Sequence, residues 1–131
     1  KYDFSYSNCH KYFEKSNRRE IYTKNKLPSG KIYDFLSKKY LVNINTLVVR
    51  KSSLKRINFF NPEFNIIGDF DAVMKMCKYG EALAFQDPLA CIRIHGKNFH
   101  DENREMFFKE YKTWFISQSK DTLFKRNRIF F

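Results

Sequence analysis

The chain predicts an α/β fold, built as a single domain over 1–131. Three observations point there. Short runs of alternating or continuous apolar residues interleave with stretches of helical period. The length of 131 residues suits one domain. The 15 Phe and 8 Tyr supply a large aromatic core.

Each element follows from local pattern. Tyr2, Phe4 and Tyr6 alternate with polar residues and share one face of a strand running to about Phe13. Residues 14–31 are polar and basic, punctuated by Pro28-Ser29-Gly30, and read as a hairpin or loop. Ile32, Phe35 and Leu36 mark a short amphipathic helix. After a break at Asn43–Asn45, Thr46–Arg50 reads as a buried strand, and Ser52 or Ser53 as the cap of a short helix reaching Ile57. Phe59–Asn65 is a loop holding Pro62.

Phe70, Val73, Met74 and Cys77 stand at i, i+3, i+4 and i+7, so a helix runs from Asp69 to about Tyr79 and stops at Gly80. Ala82–Phe85 and Leu89–His95 read as two strands separated by a turn at Asp87-Pro88. In the second, Leu89, Cys91 and Arg93 lie on one face and Ala90, Ile92 and Ile94 on the other. Asp101 opens a long helix whose stripe of Phe107, Phe108, Tyr111 and Phe115 reads as core packing. A basic, aromatic tail follows from Lys125 to Phe131.

Composition narrows the function classes. The formal net charge of +11 favours phosphate, anionic lipid or nucleic acid as partners without choosing among them. Lys and Arg crowd the first sixty residues, and the acids gather in the second half. Cys9, Cys77 and Cys91 are an odd number without zinc-type spacing, which argues against a disulfide framework or a zinc site and fits a reducing, cytoplasmic setting. No apolar run reaches the roughly 20 residues that span a bilayer. The chain starts at Lys1 and enters a strand-like run almost at once, which reads as a fragment or a processed product.

The stretch richest in chemistry is Ile66-Ile67-Gly68-Asp69-Phe70-Asp71. It sets two carboxylates at a helix start, where backbone N–H groups and the helix dipole favour negative charge. Taken locally, Asp69 is a helix N-cap. The wider order of motifs adds a second reading. A strand ends in Arg50, Phe60-Asn61-Pro62-Glu63-Phe64 follows, then Gly68-Asp69-Phe70-Asp71 with its helix, Lys78-Tyr79-Gly80, Asp87-Pro88-Leu89, and Arg93-Ile94-His95-Gly96-Lys97-Asn98. This series resembles the C-terminal, acceptor-side half of a family-2 glycosyltransferase of the GT-A (nucleotide-diphospho-sugar transferase-like) fold, which implies part of that fold, an α/β mixed sheet with flanking helices. The resemblance covers most of residues 2–100 and leaves 101–131 as a C-terminal helix and basic tail.

The resemblance implies transfer of a sugar from a nucleotide-sugar to an acceptor hydroxyl, with inversion, in bacterial surface-polysaccharide synthesis. It makes Asp69 the catalytic base, with Asp71 as runner-up, and places Gly68 and Asp71 on the acceptor side. Many relatives carry Glu where Gly68 stands. The helix terminus lowers the pKa of Asp69 and desolvation raises it, so the balance is open. Arg93 and His95 are implied at the donor diphosphate, or in a salt bridge and a structural hydrogen bond. His95 is also a candidate ligand to the Mg²⁺ or Mn²⁺ expected of the full-length enzyme. The nucleotide-binding half and its Asp-x-Asp motif would precede Lys1, and turnover is not expected of 131 residues alone.

Implied partners are the nucleotide-sugar donor and a glycan or lipid-linked acceptor. The tail offers peripheral contact with the inner face of the membrane, or is a solvated C-terminus. An exposed sheet edge would invite self-association. The alternative is a basic nucleic-acid-binding module without catalysis, using cations on phosphates and aromatics on bases. Against it, the aromatics fall at core-like spacings. A third reading is an inert folded remnant with Asp69 a plain cap.

Overall fold

A computed structural model describes residues 1–127. The sheet is built on β1 (Phe4–Phe13), whose buried Phe4 and Tyr6 face the core as their alternation predicts. On one edge β1 pairs with β2 (Arg18–Ile21), antiparallel from His10↔Ile21 to Phe13↔Arg18, and with β3 (Val48–Val49), antiparallel at Phe4↔Val49 and Ser5↔Val48. On the other it pairs in parallel with β4 (Ala82–Ile94), from Phe4↔Ala82 to Phe13↔Ile94. The sheet is therefore mixed. The β1–β2 turn is a short 3₁₀ segment, Glu14–Ser16, closed by Asn17 in the left-handed region (φ 48°).

The helices are α1 (Tyr33–Leu36), α2 (Lys51–Arg56), α3 (Gly68–Tyr79), α4 (Phe99–Glu102), α5 (Arg104–Gln118) and α6 (Thr122–Asn127). Among the described residues the fold is thus α/β with a mixed sheet and flanking helices, and no helix is long and apolar enough to cross a membrane. Helix α3 is the most buried, with Ala72, Val73, Met74, Met76 and Cys77 in the core beside Tyr6, Leu36 and Trp114.

Several elements differ from expectation for physical reasons. The 46–50 segment is no buried strand: only Val48–Val49 pairs, and Val48 is 68% exposed on the sheet edge. Neither Ser52 nor Ser53 caps α2, which begins after Arg50, and Ser53 lies inside it, donating to the Asp3 carboxylate at 2.7 Å. Asp87-Pro88 does not turn the chain. One strand runs through it, with Ser7–Cys9 of β1 facing Phe85–Ala90 of β4 in an irregular register that lets in a residue lacking an N–H. Gln86 closes this irregularity, its side-chain amide accepting from the Leu27 N–H (2.8 Å) and donating to the Leu27 carbonyl (3.0 Å). Beyond it the expected faces hold: Leu89, Cys91 and Arg93 are exposed, and Ala90, Ile92 and Ile94 are half-buried.

Asp101 does not open the long helix. Helix α4 ends at Asn103 (φ −120°, ψ 37°) before α5 starts at Arg104. The expected core stripe on α5 is rotated: Trp114 and Glu110 are buried, Phe107 and Tyr111 half-buried, and Phe108 is 68% exposed. Of the basic-aromatic tail expected from Lys125, the first residues belong to α6, which runs to Asn127, and residues 128–131 lie outside the described residues.

Candidate active site: a carboxylate in an aromatic pocket

Helix α3 begins one residue earlier than the pattern suggests. Gly68 is its first residue, Ile67 stands at the cap position, and Asp69 falls inside the first turn. Asp69 is therefore not the N-cap. The N–H groups of the turn leading into this helix find their acceptor far along the chain. The buried Glu110 carboxylate on α5 accepts from the N–H groups of Asn65 (2.8 Å), Ile66 (2.9 Å) and Ile67 (3.1 Å). Burial raises the pKa of Glu110, but these three donors and the Asn65 side chain outweigh it and hold the carboxyl below its ordinary value.

Asp69 lines a pocket of about 570 Å³ with Tyr40, Ile66, Ile67, Phe70, Phe107, Phe108 and Tyr111. It is the single carboxylate among these aromatic and aliphatic walls. Burial in this surrounding pushes its pKa up, although its own N–H and that of Phe70 pull the other way. Desolvation thus wins the balance that the sequence leaves open. Burial, with the Asp69 charge adding to it, raises the Tyr40 phenol, whose buried hydroxyl has no partner among the described residues. Burial likewise pushes Tyr111 up to about 12. Both phenols therefore stay protonated near neutral pH. The rings form a connected cluster: Phe70 meets Tyr40 at 4.9 Å, Trp114 at 4.7 Å and Tyr111 at 5.4 Å between centroids.

The two carboxylates of the motif part company. Asp71, expected beside the acceptor, is 1% exposed, accepts from Trp114 Nε1 at 3.1 Å and pairs with Lys75 Nζ at 2.7 Å. It faces inward and ties α3 to α5 instead of lining the pocket. Gly68 also stays out of the walls, and a Cβ built on it would meet nothing within 4 Å. Packing within this chain does not require the glycine, which leaves open space beside Asp69.

Arg93 and His95 sit at the far end of β4 and do not line the pocket. Asn98 organises their backbone, its side chain accepting from the His95 N–H (3.2 Å) and donating to the Arg93 carbonyl (2.9 Å). Arg93 is exposed and His95 half-buried. The Lys15 ammonium, from the β1–β2 turn, reaches within 3.6 Å of where a Cβ on Gly96 would stand, so a lysine adjoins this strand end. Among the described residues no three His, Cys, Asp or Glu side chains converge as a metal centre requires, so these residues do not by themselves fit a divalent ion.

Sequence reasoning did not single out Tyr40, Glu110 or Lys15. Only Glu110 carries a signal in the sequence, as an acid on the apolar side of an otherwise aromatic helix face. Comparison with protein-family models, with curated proteins and with solved structures finds no match to this chain.

Proposed function

We propose that this chain carries the acceptor side of a GT-A glycosyltransferase of family 2, with Asp69 as the catalytic base. The observation that carries the reading is the placement of Asp69 as the one carboxylate in an aromatic pocket, with its pKa raised by burial. An acceptor hydroxyl is a poor nucleophile until a positioned base takes its proton, and a base gains strength as its pKa rises toward the working pH. Aromatic walls suit the C–H face of a sugar ring, while Asp69 is left to receive one hydroxyl proton.

In the proposed step the acceptor oxygen forms its bond to the anomeric carbon as Asp69 accepts the hydroxyl proton. The bond from that carbon to the donor phosphate breaks, and its electron pair leaves with the nucleoside diphosphate. Attack and departure on opposite faces give inversion. Arg93 and His95, with Lys15 beside them, are the groups proposed to face the diphosphate. Asp71, fully engaged with Trp114 and Lys75, is assigned to holding the helix.

The test uses protein expressed from the complete reading frame, wild type and Asp69→Asn, with radiolabelled nucleotide-sugars and envelope glycan or glycolipid acceptors. Transfer is expected to fall by about 10²–10⁴-fold, the usual contribution of a general base, with folding intact. Transfer retained by Asp69→Asn would reject the assignment.

A further inference from the structure

We propose that Glu110 is the positioning residue of this site: its carboxylate clamps the turn that presents Asp69 and sets the spacing between the two pocket walls. The proposal rests on the reading of Asp69 as the base. Two oxygens of one buried side chain receive the N–H groups of three successive residues, Asn65, Ile66 and Ile67, which lead directly to Gly68 and Asp69.

A helix start needs its free N–H groups satisfied, and the ordinary solution is a Ser, Thr, Asp or Asn at the cap. Here that position is Ile67, which has no side-chain oxygen. Ile66 and Ile67 are both used as pocket walls. A local acidic cap would also set a second carboxylate beside Asp69. Taking the acceptor from α5 keeps those walls apolar and satisfies the Ile67 N–H at the cap position together with the two N–H groups before it.

The clamp has a second consequence. Phe107, Phe108 and Tyr111, the opposite wall, flank Glu110 on the same helix. Its three bonds therefore join wall to wall. Trp114, one turn on, repeats the connection through Asp71. Helix α5 thereby grips α3 on both sides of Asp69, through residues 65–67 before it and Asp71 after it.

Glu110→Gln and Glu110→Ala separate this role from plain stability. Gln offers one acceptor oxygen and turns a donor toward donors, so the expected order of retention is Glu, then Gln, then Ala. In protein from the complete reading frame, amide exchange at Asn65, Ile66 and Ile67 should accelerate at least about tenfold in Glu110→Ala, as expected for loss of a bond to a charged acceptor. The Asp69 carboxyl, followed by NMR against pH, should titrate lower, toward an ordinary aspartate, as the freed turn lets water in. Glu110→Gln should lie between and serves as the deciding variant if Glu110→Ala does not fold, with Trp114 fluorescence reporting the fold.

An Asp69 titration unmoved in a folded variant overturns the proposal. Were Asp69→Asn inactive in that case, the base would stand without its clamp. Were the titration moved but Asp69→Asn active, Glu110 would still position Asp69 and the base assignment would fall.

Discussion

Gly80→Ala tests how α3 is held at its other end. A Cβ on Gly80 would lie 1.7 Å from Asp3 Oδ2 and 2.2 Å from its Cγ, so the Asp3 carboxylate cannot stay where it is. The backbone is not the obstacle, because Gly80 is extended (φ −147°, ψ −170°), a conformation alanine adopts freely. The loss is that of the Asp3 contacts: Ser53 Oγ donating at 2.7 Å, the Glu81 N–H at 3.0 Å, and an ion pair with Arg56. Hydrogen bonds to a charged group contribute about 1.5–3 kcal/mol each. The Arg56 pair, with its guanidinium 45% exposed, adds at most about 1 kcal/mol. Gly80→Ala should therefore destabilise by about 3–7 kcal/mol. Asp3→Ala should cost about the same, and the double variant no more than either, because both remove one set of contacts. Urea unfolding followed by the single tryptophan, Trp114, provides the assay. An unchanged midpoint in Gly80→Ala, or additive costs in the double variant, would refute the argument.

Asp69→Asn should raise the melting temperature at neutral pH. A folded pKa above the ordinary value means that ionisation costs more in the folded state, a cost present at high pH and gone below the unfolded pKa, so the gain should vanish on acidification; a gain that persists in acid would contradict the cause. Glu110 and Asp3 act in the opposite sense, both held below their ordinary values. Their stabilisation is complete above the unfolded pKa and lost as pH falls through the folded one, so acid unfolding of Glu110→Gln should begin at higher pH than wild type. Trp114→Phe should cost about 1.5–3 kcal/mol through the lost bond to Asp71, read by chemical denaturation. A loss below half of that would mean Asp71 finds another donor.

The helix carrying Asp69 was legible because burial imposes a strict period on it, and Val73, Met74 and Cys77 are where the spacing puts them. The faces of Leu89–Ile94 were legible for the same reason at period two. What stayed hidden depends on contacts distant in sequence. Gly80 looks like a left-handed helix stop, yet its backbone is extended and its real constraint is an oxygen of Asp3. Ser53 looks like a cap and is a donor to the same carboxylate. Asp87-Pro88 reads as a turn because its rescue, the Gln86 amide on the Leu27 backbone, spans 59 positions. At the site, Asp69 and Phe70 were visible, but the opposite wall on α5 was not. Apolar residues surround that helix, and spacing alone could not say that Trp114, not Phe108, points inward.

These hidden contacts share a logic. Helix α3 is fixed at each end by a carboxylate from elsewhere in the chain: Glu110 holds the turn before Gly68, and Asp3 holds Glu81 just after Gly80. Neither is a local cap: against the cost of burial, Glu110 is held below its ordinary pKa chiefly by backbone N–H donors, and Asp3 by the Ser53 hydroxyl, the Glu81 N–H and Arg56. Local caps would secure the helix as a helix without fixing its place against the rest of the fold. Distant carboxylates do both, tying the start of α3 to α5 and its end to β1 and α2. The base proposed at Asp69 would need a fixed position more than a stable helix, since errors on the order of 1 Å in the placement of reacting groups can cost about 100-fold in rate. Under the proposed role of Asp69, the destabilised carboxylate there and the two stabilised ones that hold its helix are opposite expressions of one requirement: the first would give up solvation to become a stronger base, and the other two would fix where that base stands.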